Sequence, residues 1–295
     1  MSDIPLVFPG TGAIQSYIVP VTGSYVIEAS GAQGGNGRGP GGKGARLRGI
    51  FDLKEGEVIQ IVVGLEGKSG SSSPDPAGGG GGGSFVWKGV KPLPLPSMPM
   101  LAAGGGGGGP GNNGVITMNT EGGIALSGLC GYGGSTDFVD FHYSGGGGAG
   151  WRSNGAMGSS PTHCNGGSRW TGGHSADYAG HHGGTGGFGG GGGGSVVGYG
   201  SGGGGGYSGG DGGSEHGPGG GGGGSYNGGT DQTNFPGIQT GDGCVSIALI
   251  VIAACSRRLK GSSAPVIGQG RSTRSAGEIH SRKTAIESVF LVRCV

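Results

Sequence analysis

Four histidines, His163, His174, His181 and His182, stand near Cys164, and imidazole with thiolate is a zinc-ligating combination. The spacing carries no CxxC pair and no HxxxH element, and adjacent histidines rarely hold the same ion. These residues are therefore expected to be surface-loop side chains, with no metal and no cofactor. Gly31-Ala32-Gln33-Gly34-Gly35-Asn36-Gly37 follows a strand-like segment, as a phosphate-cradling loop would. No helix-forming segment and no well-placed acidic residue for a ribose come after it, so nucleotide binding is not expected. Serine, histidine and aspartate are all present, but no Gly-x-Ser-x-Gly turn sits between a strand and a helix. The residues point away from an enzyme.

The least repetitive part of the interior, about 129–182, is where recognition is expected. Loops held on a rigid scaffold are where binding residues concentrate. Trp151, Arg152, Arg169, Trp170 and Tyr178 are the candidate ligand-binding residues, with Asp137, Asp140 and Asp177 adding polar variety. Aromatics on a glycine-rich background have two uses. They plug gaps between backbone segments or anchor a partner. For Trp151, Trp170, Tyr178 and Phe188 the plug is the stronger reading.

Those residues must be positioned by an unusual chain. Glycine supplies 86 of 295 residues, with six uninterrupted runs at 78–83, 104–109, 145–148, 189–194, 202–206 and 219–224. Recurrent punctuation flanks them: Ala77-run-Ser84-Phe85-Val86, Leu101-Ala102-Ala103-run and run-Ser225-Tyr226-Asn227. Collagen is excluded, because it needs glycine at every third position and abundant proline. Around the runs lie strand-like segments at 16–20, 23–29, 45–51 and 57–63, rich in β-branched and aromatic residues. In the last, Val58, Gln60 and Val62 face one side, and Ile59, Ile61 and Val63 the other. Short stubs are expected at 85–88, 101–102 and 115–118. The segment 91–99 is a proline-punctuated loop. The run Val245–Ile252 reads as a closing strand, because a membrane-spanning helix needs about 20 apolar residues. No secretory signal is expected at the start of this chain.

Glycine brings no side chain to bury and loses the most backbone freedom on folding. Composition alone thus makes flexible coil a serious alternative for the middle of the chain. Order requires another source. In polyproline II geometry the chain turns every three residues, with its N–H and C=O groups pointing outward. Several such helices free of side chains can lie side by side and bond to one another, satisfying their polar backbone groups. Strands at the ends would supply the hydrophobic anchor.

Residues 1–255 carry 10 basic and 15 acidic side chains, whereas 256–295 carry 8 and 2. The basic residues of the tail are scattered among Ser and Gly, so a solvated tail is expected rather than a nucleic-acid surface. Five cysteines (Cys130, Cys164, Cys244, Cys255, Cys294) leave one unpaired in a monomer. In a secreted chain Cys130–Cys164 is one pairing they allow.

The segment Gln15–Gly35, Gly42-Lys43-Gly44-Ala45 and the 56–64 strand resemble the glycine-rich domain found in the ectodomains of anaplastic lymphoma kinase and leukocyte tyrosine kinase. The punctuated runs named above and the closing Gly241-Asp242-Gly243-Cys244-Val245-Ser246-Ile247 are similar too, over roughly residues 8–250. The resemblance implies a bundle of polyglycine II helices on a β-rich support, a protein ligand and a location outside the cell or at its surface. No kinase loop or His-Arg-Asp segment accompanies it, so no kinase activity is expected. The overall expectation is mainly β structure with polyglycine II helices and almost no α-helix. One domain is expected at 4–252, with a basic tail at 253–295. As a function, a non-enzymatic binding or adhesion module is expected. Its partner would be a protein or cell-surface component, with no nucleic acid and no membrane span. The alternative is a wall, matrix or fibre component whose rigidity is its function.

Overall fold

The computed structural model describes residues 4–251, apart from 72–75, 90–97, 112, 116–130, 137–143, 159–163, 170, 174–176, 179–180, 196–199 and 215–218. Alternation fixes the first structural decision. In β3 (Gly23–Ser30) Tyr25, Ile27 and Ala29 point to one side and are fully buried. Ala45 and Leu47 do the same in β4 (Gly44–Leu53), as do Val245 and Ile247 in β12 (Cys244–Leu249). These strands pair antiparallel, with Ile27 opposite both Gly49 and Ile247. β1 (Leu6–Pro9) and β11 (Thr230–Gln239) complete a five-stranded sheet in the order β1-β12-β3-β4-β11.

A second five-stranded sheet runs β10-β7-β6-β5-β2, from β2 (Gln15–Ile18), β5 (Val58–Val62), β6 (Ser84–Lys88), β7 (Leu101–Ala103) and β10 (Tyr226–Asn227). Ile59, Ile61, Val63, Val86, Leu101 and Ala103 face the first sheet and join its apolar side chains in one core. Phe8 meets Tyr17 edge-on across the sandwich, with ring centroids 6.2 Å apart. A separate two-stranded ladder pairs β8 (Asp177–Tyr178) with β9 (His181–His182). The described residues contain no α-helix.

The edges are kept unattractive to other chains. β1 has only four residues, lying between Pro5 and its own last residue Pro9. β11 is broken by two register shifts, with Asp231 and Gly237 at positive φ and Pro236 between them. Short, bulged or proline-bearing edges resist edge-to-edge pairing.

Beyond the second sheet lie the glycine runs, ordered by bonds between segments. Run 202–206 is surrounded. The N–H groups of Gly202 and Gly205 donate to Gly78 and Gly81, those of Gly203 and Gly206 to Gly146 and Ala149, and those of Gly204 and Tyr207 to Gly221 and Gly224. Its carbonyls accept from Gly108 and Gly105 on one flank, Gly192 on another and Gly210 on a third. The bond direction thus returns to the same neighbour every third residue, the period of polyproline II geometry. Six segments enclose one, which closes the backbone hydrogen-bond accounting without a sheet. No position can carry a side chain. A Cβ on any of Gly202 to Gly206 would run into the backbone of Gly192, Gly210, Gly105, Gly189 or Gly224 in turn.

The recurring Gly-run-Ser signature has a local cause. Buried Ser84 Oγ accepts the Gly64 N–H at 3.0 Å and donates to the Ser30 carbonyl at 2.7 Å. Buried Ser225 Oγ accepts the Gly104 N–H at 2.9 Å and donates to the Val115 carbonyl. Each hydroxyl bridges chain segments where a run becomes a strand. The bundle is then riveted to the second sheet by apolar side chains. Val62, Phe85, Trp87 and Ala102 on the outer face of that sheet pack against Trp151 and Tyr207 from the bundle, with Phe188 alongside. This is why Val62, on the outer face of β5, is apolar and fully buried.

Candidate functional site

The candidate residues fall on different levels of this architecture. Trp151 is 1% exposed. Its ring stacks on Phe85 with centroids 5.8 Å apart and meets Trp87 edge-on at 5.7 Å. It is a plug, and no partner can reach it. Its neighbour is presented the other way. Arg152, next to it in the bend at 151–153 that the Gly150 N–H to Ser153 O bond closes, is exposed to solvent.

Arg152 is held by its backbone and its stem. Its N–H donates to the Gly131 carbonyl at 2.7 Å. A Cβ at Gly131 would lie 3.3 Å from Arg152 Cγ and 3.3 Å from Tyr207 Cζ, and φ at Gly131 is +92°. The glycine therefore makes room for the arginine stem, with the guanidinium carried outward. Next to Gly131, Tyr132 is 51% exposed. The same two loops are cross-linked by the Gly133 N–H to Ser153 Oγ at 2.9 Å. Arg169 joins them through its N–H, which donates to Asn154 Oδ1 at 3.1 Å. Met157, 55% exposed, accepts the Thr136 Oγ1–H at its carbonyl at 3.2 Å, which ties 157 to the 131–136 loop. Among the described residues, neither guanidinium has a carboxylate or hydrogen-bond acceptor as a partner. A carboxylate of this loop cluster, Asp211, is buried and accepts the Ser135 N–H and Oγ–H.

Tyr178 lies in β8 and pairs with His181 of β9. Trp170, His163, His174, Asp137, Asp140, Cys130 and Cys255 to Val295 lie outside the described residues, as do 116–118 of the expected stub. Cys164 is buried, and Cys244 is disulfide-bonded. Sequence reasoning passed over Tyr132, although a lone aromatic inside Gly131-Tyr132-Gly133-Gly134 has no apolar neighbours in sequence to pack with, and that was a usable signal.

A second charged cluster lies on the outer face of the first sheet. Glu28 on β3 is flanked across the ladder by Arg48, and Arg46 Nε lies 3.7 Å from Glu28 Oε1. Arg46 Nε also donates to Ser30 Oγ at 3.3 Å and its NH2 to Gln239 Oε1 at 3.2 Å. Burial raises the Glu28 carboxyl above its usual range, and the two arginines only partly offset this. Glu28 Oε1 accepts no hydrogen bond. The cluster ties three strands together and holds no nucleophile. At the sheet margin, Glu57 is lowered by the Lys54 N–H and by Lys88, whose Nζ is 2.9 Å away. Among the described residues no group of three or more His, Cys, Asp or Glu side chains is placed to hold a metal ion, and no helix is long and apolar enough to cross a membrane.

No protein-family model matches the chain, and no curated protein matches it.

Proposed function

We propose that this chain is a non-enzymatic binding or adhesion module working outside the cell or at its surface, in the manner of the receptor glycine-rich domain that its sequence resembles. In this reading the runs are polyglycine II helices, and their bundle is a rigid platform rather than a spacer. The observation that carries the reading is the enclosure of run 202–206 by six bonded segments, with bond direction repeating every third residue. A scaffold bonded in this way holds the loops at 131–136 and 150–157 in place before any partner arrives. Such loops lose little freedom on binding, which is how preorganisation raises affinity. The arginines and tyrosine on those loops supply side chains suited to a protein surface, where Arg and Tyr are enriched.

The test uses the purified full chain in two measurements. Sedimentation velocity over a wide concentration range reads self-assembly, and a labelled chain added to intact cells reads saturable binding that unlabelled chain displaces. A monomer that binds cells saturably supports the module. Filaments or sheets forming without any partner overturn it in favour of a wall, matrix or fibre component.

A further inference from the structure

We infer that the surface made by Tyr132, Arg152 and Arg169 takes a carboxylate-rich segment of a protein partner; the inference rests on the binding-module reading and names its site. Arg152 and Arg169 stand on one loop cluster, joined through the Arg169 N–H to Asn154 Oδ1 bond, and neither has an acidic partner among the described residues, on a part of the chain (1–255) in which acidic side chains outnumber basic ones. The Arg152 stem, packed over Gly131 beside Tyr207, is directed before a ligand arrives. The guanidinium fork binds a carboxylate through two parallel hydrogen bonds, with a geometric match that an ammonium lacks. Tyr132 beside it offers an aromatic face and a hydroxyl, and Met157 an adaptable apolar contact.

The arrangement suits a peptide better than a nucleic acid. Phosphate-backbone binding draws its strength from many cations along a stripe, whereas the described part of this loop cluster carries two arginines, Arg152 and Arg169, on mostly glycine backbone. A short acidic segment, with one or two carboxylates placed on the arginines and a side chain against Tyr132, fits the extent of the patch.

The experiment is a titration of the full chain with an oligoglutamate peptide, beside oligoserine, oligolysine and single-stranded oligonucleotide controls. The readouts are calorimetry and backbone amide chemical shifts. The parent chain is expected to bind oligoglutamate and not oligolysine, with shifts at 131–136 and 150–157. The double variant Arg152→Gln/Arg169→Gln is expected to bind the peptide roughly tenfold or more weakly with an unchanged melting temperature. Shifts confined to 256–295, equal affinity in the double variant, or a patch-dependent preference for the oligonucleotide each overturn the inference. Should the double variant melt early, the shifts on the parent chain decide alone. A double variant that loses oligoglutamate but still binds cells sinks the partner assignment and leaves the module standing. A parent that binds oligoglutamate through the patch but no cell surface sinks the module reading instead.

Discussion

Replacing Gly81 with alanine measures how much of the fold depends on the bonds between runs. The Gly81 N–H donates to Gly106 O at 2.8 Å, and its carbonyl accepts the Gly205 N–H at 2.9 Å. A Cβ there would lie 2.5 Å from the carbonyl oxygens of both Ala32 and Gln33. Ordinary contacts to carbon begin at about 3.5 Å, so the run and the 31–35 segment must part by about 1 Å. They are joined by the Ala32 N–H to Gly82 O and the Gly35 N–H to Gly79 O bonds, both 2.8 Å. An added 1 Å takes each beyond the limit of about 3.2 Å for such bonds. Leaving a buried backbone group unsatisfied costs about 1–3 kcal/mol, so two broken bonds cost roughly 2–6 kcal/mol. Alanine offsets about 0.4–1 kcal/mol of this by restricting the unfolded chain. Net destabilisation of about 1–5.5 kcal/mol is expected, read from equilibrium urea unfolding followed by tryptophan fluorescence, with Trp87 and Trp151 buried as reporters. Gly39→Ala is the comparison, because its nearest neighbour is Pro110 Cβ at 3.2 Å and a small shift relieves it. It should unfold within about 1 kcal/mol of the parent. If Gly81→Ala also unfolds within about 0.5 kcal/mol of the parent, the lateral bonds do not hold the runs and the reasoning fails.

Trp151→Ala should cost about 3–5 kcal/mol, because it empties the space between the bundle and Phe85 and Trp87; hydrogen exchange should then show the runs opening before the sandwich. Glu28, raised by burial, holds its proton in the folded state at a pH where the unfolded chain has released it. Its contribution to stability is therefore full below the ordinary carboxylate range and is lost as pH rises through the raised value. Glu28→Gln should remove that slope and gain on the order of 1 kcal/mol at neutral pH, read from melting temperatures across an acid-to-neutral series. A steeper slope in the variant would contradict the assignment. Lys88→Ala breaks an exposed ion pair with Glu57 and should change stability by less than about 1 kcal/mol, with any effect fading in salt.

The strands with strict alternation were legible in sequence, and their faces with them. Ile59, Ile61 and Val63 point into the sandwich and Val62 points at the bundle, as the spacing of 57–63 indicates. The outer strands were not legible. β1 is four residues ending in a proline, and β11 contains Asp, Asn, Pro and Gly at positions where a central strand would not tolerate them. Both gain strand character from a partner across the ladder rather than from their own side chains, which is the usual weakness of strand propensity. Arg152 and Arg169 were visible as candidates and Trp151 as a plug, but not what Trp151 would plug against. That depends on Phe85 and Trp87, which are more than sixty residues away in sequence.

The three-residue rota of bonds along 202–206 also constrains how such a chain can change length. Adding or removing three glycines in a run shifts it one full turn and returns every later N–H to a neighbour it already faced. Adding one or two rotates everything downstream by about a third of a turn or two, and each donor then meets the wrong segment. A lineage carrying this architecture would tolerate glycine insertions in triplets and reject the rest, leaving a reading frame of structure laid over the reading frame of the gene.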